Sequence, residues 1–374
     1  MAADARVTRV RRTYIDWLRG VAVVIMFLAH TTDAWTRAED RSGALYQLSI
    51  KVSGMGAPLF LFLAGVAVAL AAGAKTRKSG DIAGAAAAVR RRGWEIFGLA
   101  FLLRLQSWTL GGFRAPAASM LKVDILNIMG PSIAAAATVW ALFARPRARL
   151  VAFSLIAVAV SLLTPAVRDA SWPSLLPGFV EAYVRPPKGL SWFALFPWSG
   201  LLFAGAATGV LIDGSRDEVA ERRLNRFFLV LGSVLCLAAW AGSHLPPLHA
   251  SSSFWTTSFS YFVYRIGLMT ALLGAAYSWL RRPTAAHWSP MVVLGTSSLF
   301  VYWVHLDLVY GGIARPLRRA LPFGWVIVAL AAFTALMVGL TLLKNEGVAR
   351  WKARRGGHRL ASSPTETVPR ARAG

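Results

Sequence analysis

The chain has 374 residues, 56% of them hydrophobic and 16% charged, with 15 tryptophans, one cysteine and a formal charge of +24. A positive mean hydropathy at this length excludes an ordinary soluble domain and implies an all-α, polytopic membrane protein. The charge does not imply nucleic acid, because the basic residues lie between apolar segments and not on one face of a folded domain.

About 20 apolar residues span a bilayer core of about 30 Å, and the chain offers ten such segments. They are 15–35, 45–72, 93–112, 121–143, 150–166, 191–212, 227–243, 258–280, 291–310 and 323–343. The first follows RVTRVRR directly and has no small-residue cleavage site after it, so it is expected to stay in the membrane as a span. Pro58 removes an amide donor from the second and predicts a kink there. Most Lys and Arg fall on segments sharing one side with the N-terminus, so the positive-inside bias predicts both termini in the cytoplasm. Arg315, Arg318 and Arg319 then fall outside. Residues 1–344 are expected to form one lipid-embedded domain and 345–374 a basic, disordered cytoplasmic tail. Gly205 to Gly209 (GAATG) marks a close helix contact, and no internal repeat is visible.

Several spans carry polar residues at matching depth. At 1.5 Å per residue, His30 lies about 22 Å from Ile15 and His305 about 21 Å from Met291. Arg104 falls near mid-membrane, and Arg265 and Asp124 in the outer half. Asp16, Arg19, Val23 and His30 share one face of the first helix; Ser298, Tyr302 and His305 share one face of the ninth. Polar faces of this kind look into a bundle and away from lipid. Each residue alone has a structural explanation: interhelical ion pairs for Arg104, Arg265 and Asp124, a hydrogen-bonded core histidine for His305, a topology signal for Arg90, Arg91 and Arg92. Trp35, Trp94, Trp172, Trp192 and Trp288 read as an interfacial belt. The coincidence at one depth points instead to a cavity with chemistry. Cys236, alone, excludes an intramolecular disulfide or a Cys-based metal site, and no metal is expected.

Five stretches carry a resemblance. IDWLRG has ten residues between its Arg19 and His30, and GAPLFLFLAGVAVAL (Gly56 to Leu70) follows. VDILNIMG (Val123 to Gly130), FPWSGLLFAGAATG (Phe196 to Gly209) and LGTSSLFVYWVH (Leu294 to His305) come later in the same order. Together they resemble the transmembrane acyltransferases, which join the heparan-alpha-glucosaminide N-acetyltransferase catalytic family to the bacterial membrane-bound O-acyltransferases of surface polysaccharides. The resemblance implies transfer of an acyl group, usually acetyl from cytosolic acetyl-CoA, to an extracytoplasmic sugar or glycan of the cell envelope. It also implies a bacterial cytoplasmic membrane. His30 matches the histidine held to be catalytic in the bacterial O-acetylases, and Arg19 its partner arginine. Two departures are visible. Arg90, Arg91 and Arg92 are contiguous where the O-acetylases often show Arg-x-x-Arg, and the lysosomal relatives place their important histidine beyond helix one.

The chemistry of the side chains supports the same roles. Acyl transfer needs a base for the acceptor's proton, and imidazole titrates nearest neutrality. His30 could serve as that base or carry the acetyl group covalently. A cation or donor near the thioester oxygen would stabilise its developing charge, with Arg104, Arg265 and Tyr302 as candidates. Arg90, Arg91 and Arg92, with Lys75 and Lys78, are expected to meet the phosphates of coenzyme A; Asp124 and His305 complete the substrate-binding set. The segment Arg168 to Leu190, with Trp172, Tyr183, Arg185 and Lys188, is a candidate acceptor platform. The rival reading is a proton-coupled transporter, which also buries His, Arg and Asp, but such carriers are built from repeats with paired broken helices. A non-catalytic scaffold is the third. Whether the acceptor is a hydroxyl or an amine stays open.

Overall fold

Backbone amides inside a bilayer must be satisfied within the protein, and the chain meets that demand with helices. The computed structural model describes residues 12–186, 191–250, 252–282 and 288–361, and among these there is no β-strand, only two isolated bridges, Thr36 with Leu321 and Val123 with Ser191. The helices are α1 (Thr13–Trp35), α2 (Ala44–Ser53), α3 (Gly56–Ser79), α4 (Ile82–Leu110), α5 (Ile125–Leu142), α6 (Pro146–Asp169) and α7 (Gly178–Val184). They continue with α8 (Leu195–Gly214), α9 (Glu218–Gly242), α10 (Phe259–Leu280), α11 (Pro290–Thr296), α12 (Ser298–Tyr310) and α13 (Phe323–Ala361). The end of the bundle where α1 begins is termed proximal, and the end where α1 stops, distal.

Among the described residues eight helical segments are long and apolar enough to cross a membrane: α1, α2 with α3, α5, α6, α8, α9, α10 and α13. The α11–α12 pair, bent by 94°, makes a ninth if it is one span. The tenth expected segment, 93–112, lies in α4, where Glu95, Arg104 and Gln106 interrupt the apolar run and keep it below the same threshold. Three boundaries also differ from expectation. The break in the second segment falls at Gly54 and Met55, and Pro58 is the third residue of α3, within the first turn where its missing amide hydrogen has no helical partner to lose. The ninth segment is broken at Ser297, whose hydroxyl accepts from Lys344 Nζ at 2.8 Å. Finally, α13 does not stop at Lys344. It runs on to Ala361, because the charged residues that follow are good helix formers, and Glu346 pairs with Arg350 one turn on at 2.5 Å. Residues 362–374 of the expected tail lie outside the described residues.

Helix association in lipid rests on close packing, which small residues permit. The contact expected at GAATG joins α8 to α3. A Cβ at Gly205 would meet the Phe62 carbonyl oxygen at 1.9 Å, and one at Gly209 the Ala69 Cβ at 2.8 Å. Gly65 on α3 returns the contact against the Leu202 carbonyl at 1.9 Å. Backbone cannot yield as a flexible side chain can, so Gly205→Leu is expected to cost about 1–3 kcal/mol or more from overpacking. A lowered thermal midpoint in detergent, beside an unchanged one for Gly324→Ala, whose added Cβ meets open space, checks this.

Candidate functional site

The polar faces of α1 and α12, with α3, α4 and α5, enclose a cavity of about 1700 Å³. Small-molecule sites usually run about 300–1,000 Å³, so this space holds a large substrate or two at once. Lys75 and Arg92 line its proximal part, and Arg114, Lys122, Arg315 and Arg318 its distal part. His30, Arg104, Asp124 and Tyr302 lie on the wall between them.

His30 projects from the last third of α1. Its Nδ1 is 3.0 Å from the Tyr310 hydroxyl, which donates to Asp33 Oδ2 at 3.1 Å. A carboxylate only accepts, so the phenol's single proton is committed to Asp33. The phenol oxygen must then accept from His30 Nδ1–H, which leaves the lone pair on Nε2. His305, expected on the same level, lies beside it with ring centroids 5.2 Å apart. The straight-helix count assumed for residues 291–305 does not hold, yet the level does, because the break at Ser297 redirects the chain without displacing α12 from α1.

His305 itself does not reach the cavity. It is fully buried, donates Nδ1–H to the Val301 carbonyl at 3.0 Å, and is enclosed by the rings of Phe27, His30 and Tyr302 at 5.2–5.6 Å; its Nε2 has no hydrogen-bond partner among the described residues. Tyr302 stands between His305 and the cavity.

Arg104 and Asp124 face each other across the wall at 3.4 Å. The same carboxylate caps α5, accepting from the amides of Leu126 at 2.9 Å and Asn127 at 3.3 Å, while Asn127 Oδ1 accepts from the Asp124 amide at 3.0 Å. The VDILN stretch is therefore a capping box whose aspartate also fixes a cavity arginine. Arg104 Nε has no hydrogen-bond partner among the described residues.

The remaining candidates separate. Arg19 lines the cavity and pairs with Asp16 at 3.5 Å. Of the contiguous arginines only Arg92 is on the wall, since 100° per residue turns three neighbours three ways. Arg90 is exposed, and Arg91, 83% exposed at its side chain, pairs with Glu95 at 3.1 Å, as Arg92 does at 3.0 Å. Arg265 sits one layer back, stacked on Tyr261 at 4.1 Å and Trp198 at 5.4 Å, and it is Trp198 that meets the cavity. In the 168–190 segment, Tyr183 accepts from Asn127 and Arg185 is spent on Glu181 and the Ala170 carbonyl, so both tie the segment down. Lys188 lies outside the described residues, and Trp192 and Phe193, just beyond, line the cavity instead. Trp35, expected in the interfacial belt, is buried and donates Nε1–H to the Val309 carbonyl at 3.2 Å.

Sequence reasoning missed Asp33, Tyr310 and a cluster of Gln106, Trp303 and Asp307. Gln106 of α4 donates to Asp307 and accepts from Trp303 Nε1 at 2.7 Å, which presents Asp307 to the cavity. Asp33 carried a signal, being three residues after His30 on the same helix face. Tyr310 carried none at a separation of 280 residues.

Residues 11–244 match the family model described as heparan-alpha-glucosaminide N-acetyltransferase, catalytic. The chain belongs to that family. The match covers α1 to α9, and membership implies a membrane-bound acetyltransferase. Tyr302 and Tyr310, on α12, complete the cavity from outside the matched region, with His305 behind Tyr302. No match was found among the curated proteins.

Proposed function

We propose that the protein moves an acetyl group from cytosolic acetyl-CoA to an extracytoplasmic glycan within the central cavity, with the proximal end in the cytoplasm. One observation carries the reading: a histidine committed by its hydrogen bonds to a lone pair on Nε2 lies on the wall of a cavity with basic residues in both its proximal and distal parts. His30 Nε2 takes the proton of the acceptor hydroxyl or amine as its oxygen or nitrogen bonds to the acetyl carbon. The carbon–sulfur bond then breaks, and the proton passes to the leaving sulfur to give free coenzyme A. Arg104 is the cation placed to stabilise the carbonyl oxygen as it becomes negative. Lys75 and Arg92 suit the phosphates of the donor, and Arg19, deeper in, suits its pantetheine arm. Arg114, Lys122, Arg315 and Arg318 suit an anionic glycan entering from the distal side. Residues 1–344 act as the catalytic unit, and the basic end of the chain lies against the inner leaflet.

Label transfer from radiolabelled acetyl-CoA to envelope glycan, in proteoliposomes, tests the reading. A transporter would instead show uptake without any acetylated product, and the distinction matters because the largely apolar cavity carries charged residues in its proximal, middle and distal parts and α11–α12 is bent. A finer test lies within the arginine triplet. Arg92→Gln is expected to weaken acetyl-CoA binding about tenfold, the loss of one charge-assisted contact. Arg91→Gln, altering an exposed side chain, is expected to leave the affinity unchanged. Equal effects in direct binding would detach the cavity from the donor.

A further inference from the structure

We propose that Tyr310 and Asp33 are positioning residues for His30, forming a relay that selects the reactive tautomer of the imidazole and steadies its charged form. The proposal rests on the reading of His30 as the base.

A neutral imidazole has two tautomers of similar energy, and only one leaves Nε2 free to accept a proton. The required direction of the hydrogen bonds removes that ambiguity. Asp33 must accept, Tyr310 must donate to it at 3.1 Å, and His30 must donate from Nδ1 to the phenol oxygen at 3.0 Å. When Nε2 takes up a proton the same line of dipoles already points the right way, with a carboxylate at its end. The ring is held from two sides as well, by His305 at 5.2 Å and by Tyr310 at 5.5 Å between centroids.

The placement of the charge explains why a phenol stands between the other two. A carboxylate directly against the imidazole would be buried in the membrane, where desolvation is costly. Asp33, in the last turn of α1, is exposed at the distal end, so it keeps its hydration while Tyr310 carries its influence inward. Asp33 and His30 are three apart on one helix, and Tyr310 is the last residue of α12. The relay therefore spans the seam between α1 and α12 at the point where the cavity wall needs the base.

The plain alternative is that this hydrogen bond only ties the two helices. A second tie between them provides the control, since Trp35 Nε1 donates to the Val309 carbonyl at 3.2 Å without touching the imidazole. In proteoliposomes at matched insertion, Tyr310→Phe is expected to lower kcat about 10- to 100-fold with the KM for acetyl-CoA within about twofold of wild type. Asp33→Ala is expected to lose about tenfold, and Asp33→Glu, which restores an acceptor for the phenol, to recover most of it. Trp35→Phe is expected to keep wild-type kcat. Added to His30→Ala, Tyr310→Phe is expected to reduce residual transfer no further, because it acts through the histidine. Wild-type kcat in Tyr310→Phe, an equal loss in Trp35→Phe, or a further loss in the double variant would overturn the relay and leave the acetyltransferase standing. No transfer by the wild type itself would overturn both.

Discussion

His30→Ala is expected to lower acetyl transfer at least ~100-fold, the usual cost of removing a general base, while acetyl-CoA still binds. The two effects separate because the histidine and the donor's basic contacts lie apart: Lys75 and Arg92 line the proximal part of the cavity, and His30 sits in the last third of α1. Loss of the ring widens a cavity that already exists, so the bundle is expected to fold. His30→Asn should be as inactive, since an amide can hydrogen-bond to Tyr310 yet cannot take up a proton near neutral pH. His305→Ala should behave differently. That ring is fully buried among Phe27, His30 and Tyr302, so its removal leaves an apolar hole and lowers the thermal midpoint before it affects chemistry. Initial rates and acetyl-CoA affinity for wild type and the three variants, at matched insertion, decide the matter. Near-normal transfer by His30→Ala would remove the assignment and turn attention to His305.

The helices and the level of the two histidines were legible because both follow from counting. Twenty apolar residues make a span, and 1.5 Å per residue puts His30 and His305 at one depth even though the second count crossed a break. GAATG was legible as a helix contact because nothing larger than hydrogen fits against the Phe62 carbonyl. Direction around a helix was only half legible. Of the predicted face, Arg19 and His30 meet the cavity while Val23 is buried against neighbouring helices, and for Arg90, Arg91 and Arg92, which point three ways, only their neighbours decide which meets the cavity. Arg265 and Trp35 went wrong for the same reason. Each is polar-tipped and large, and the choice between wall, lipid boundary and second layer belongs to residues elsewhere in the chain, Trp198 in one case and Val309 in the other. The break at Ser297 was hidden because nothing in GTSSLF forbids a straight helix; Lys344, bonded to the Ser297 hydroxyl, comes from α13.

Arg104→Gln is expected to lower kcat about 10²–10³-fold, the range for removing one donor to a developing oxyanion, with acetyl-CoA affinity retained. Three observations single it out from the original candidates. Arg265 lies behind Trp198, away from the cavity. Tyr302 lines the cavity but is a neutral donor. Arg104 is a cation on the wall, its side chain about a third exposed and one terminal nitrogen 3.4 Å from Asp124, a long contact that leaves the guanidinium donor capacity. The competing account is structural, with the pair holding α4 to the start of α5. Asp124→Asn separates the two, since an amide oxygen can still accept from Leu126 and Asn127 to cap α5 while the ion pair is gone. If Arg104 acts on the substrate, Asp124→Asn keeps kcat within about tenfold and Arg104→Gln does not, although both lower the thermal midpoint by similar amounts. Arg104→Lys should fall between, with the charge kept and the planar fork lost. Matching losses of kcat in Arg104→Gln and Asp124→Asn would return Arg104 to the scaffold and leave Tyr302 as the donor facing the reacting carbonyl.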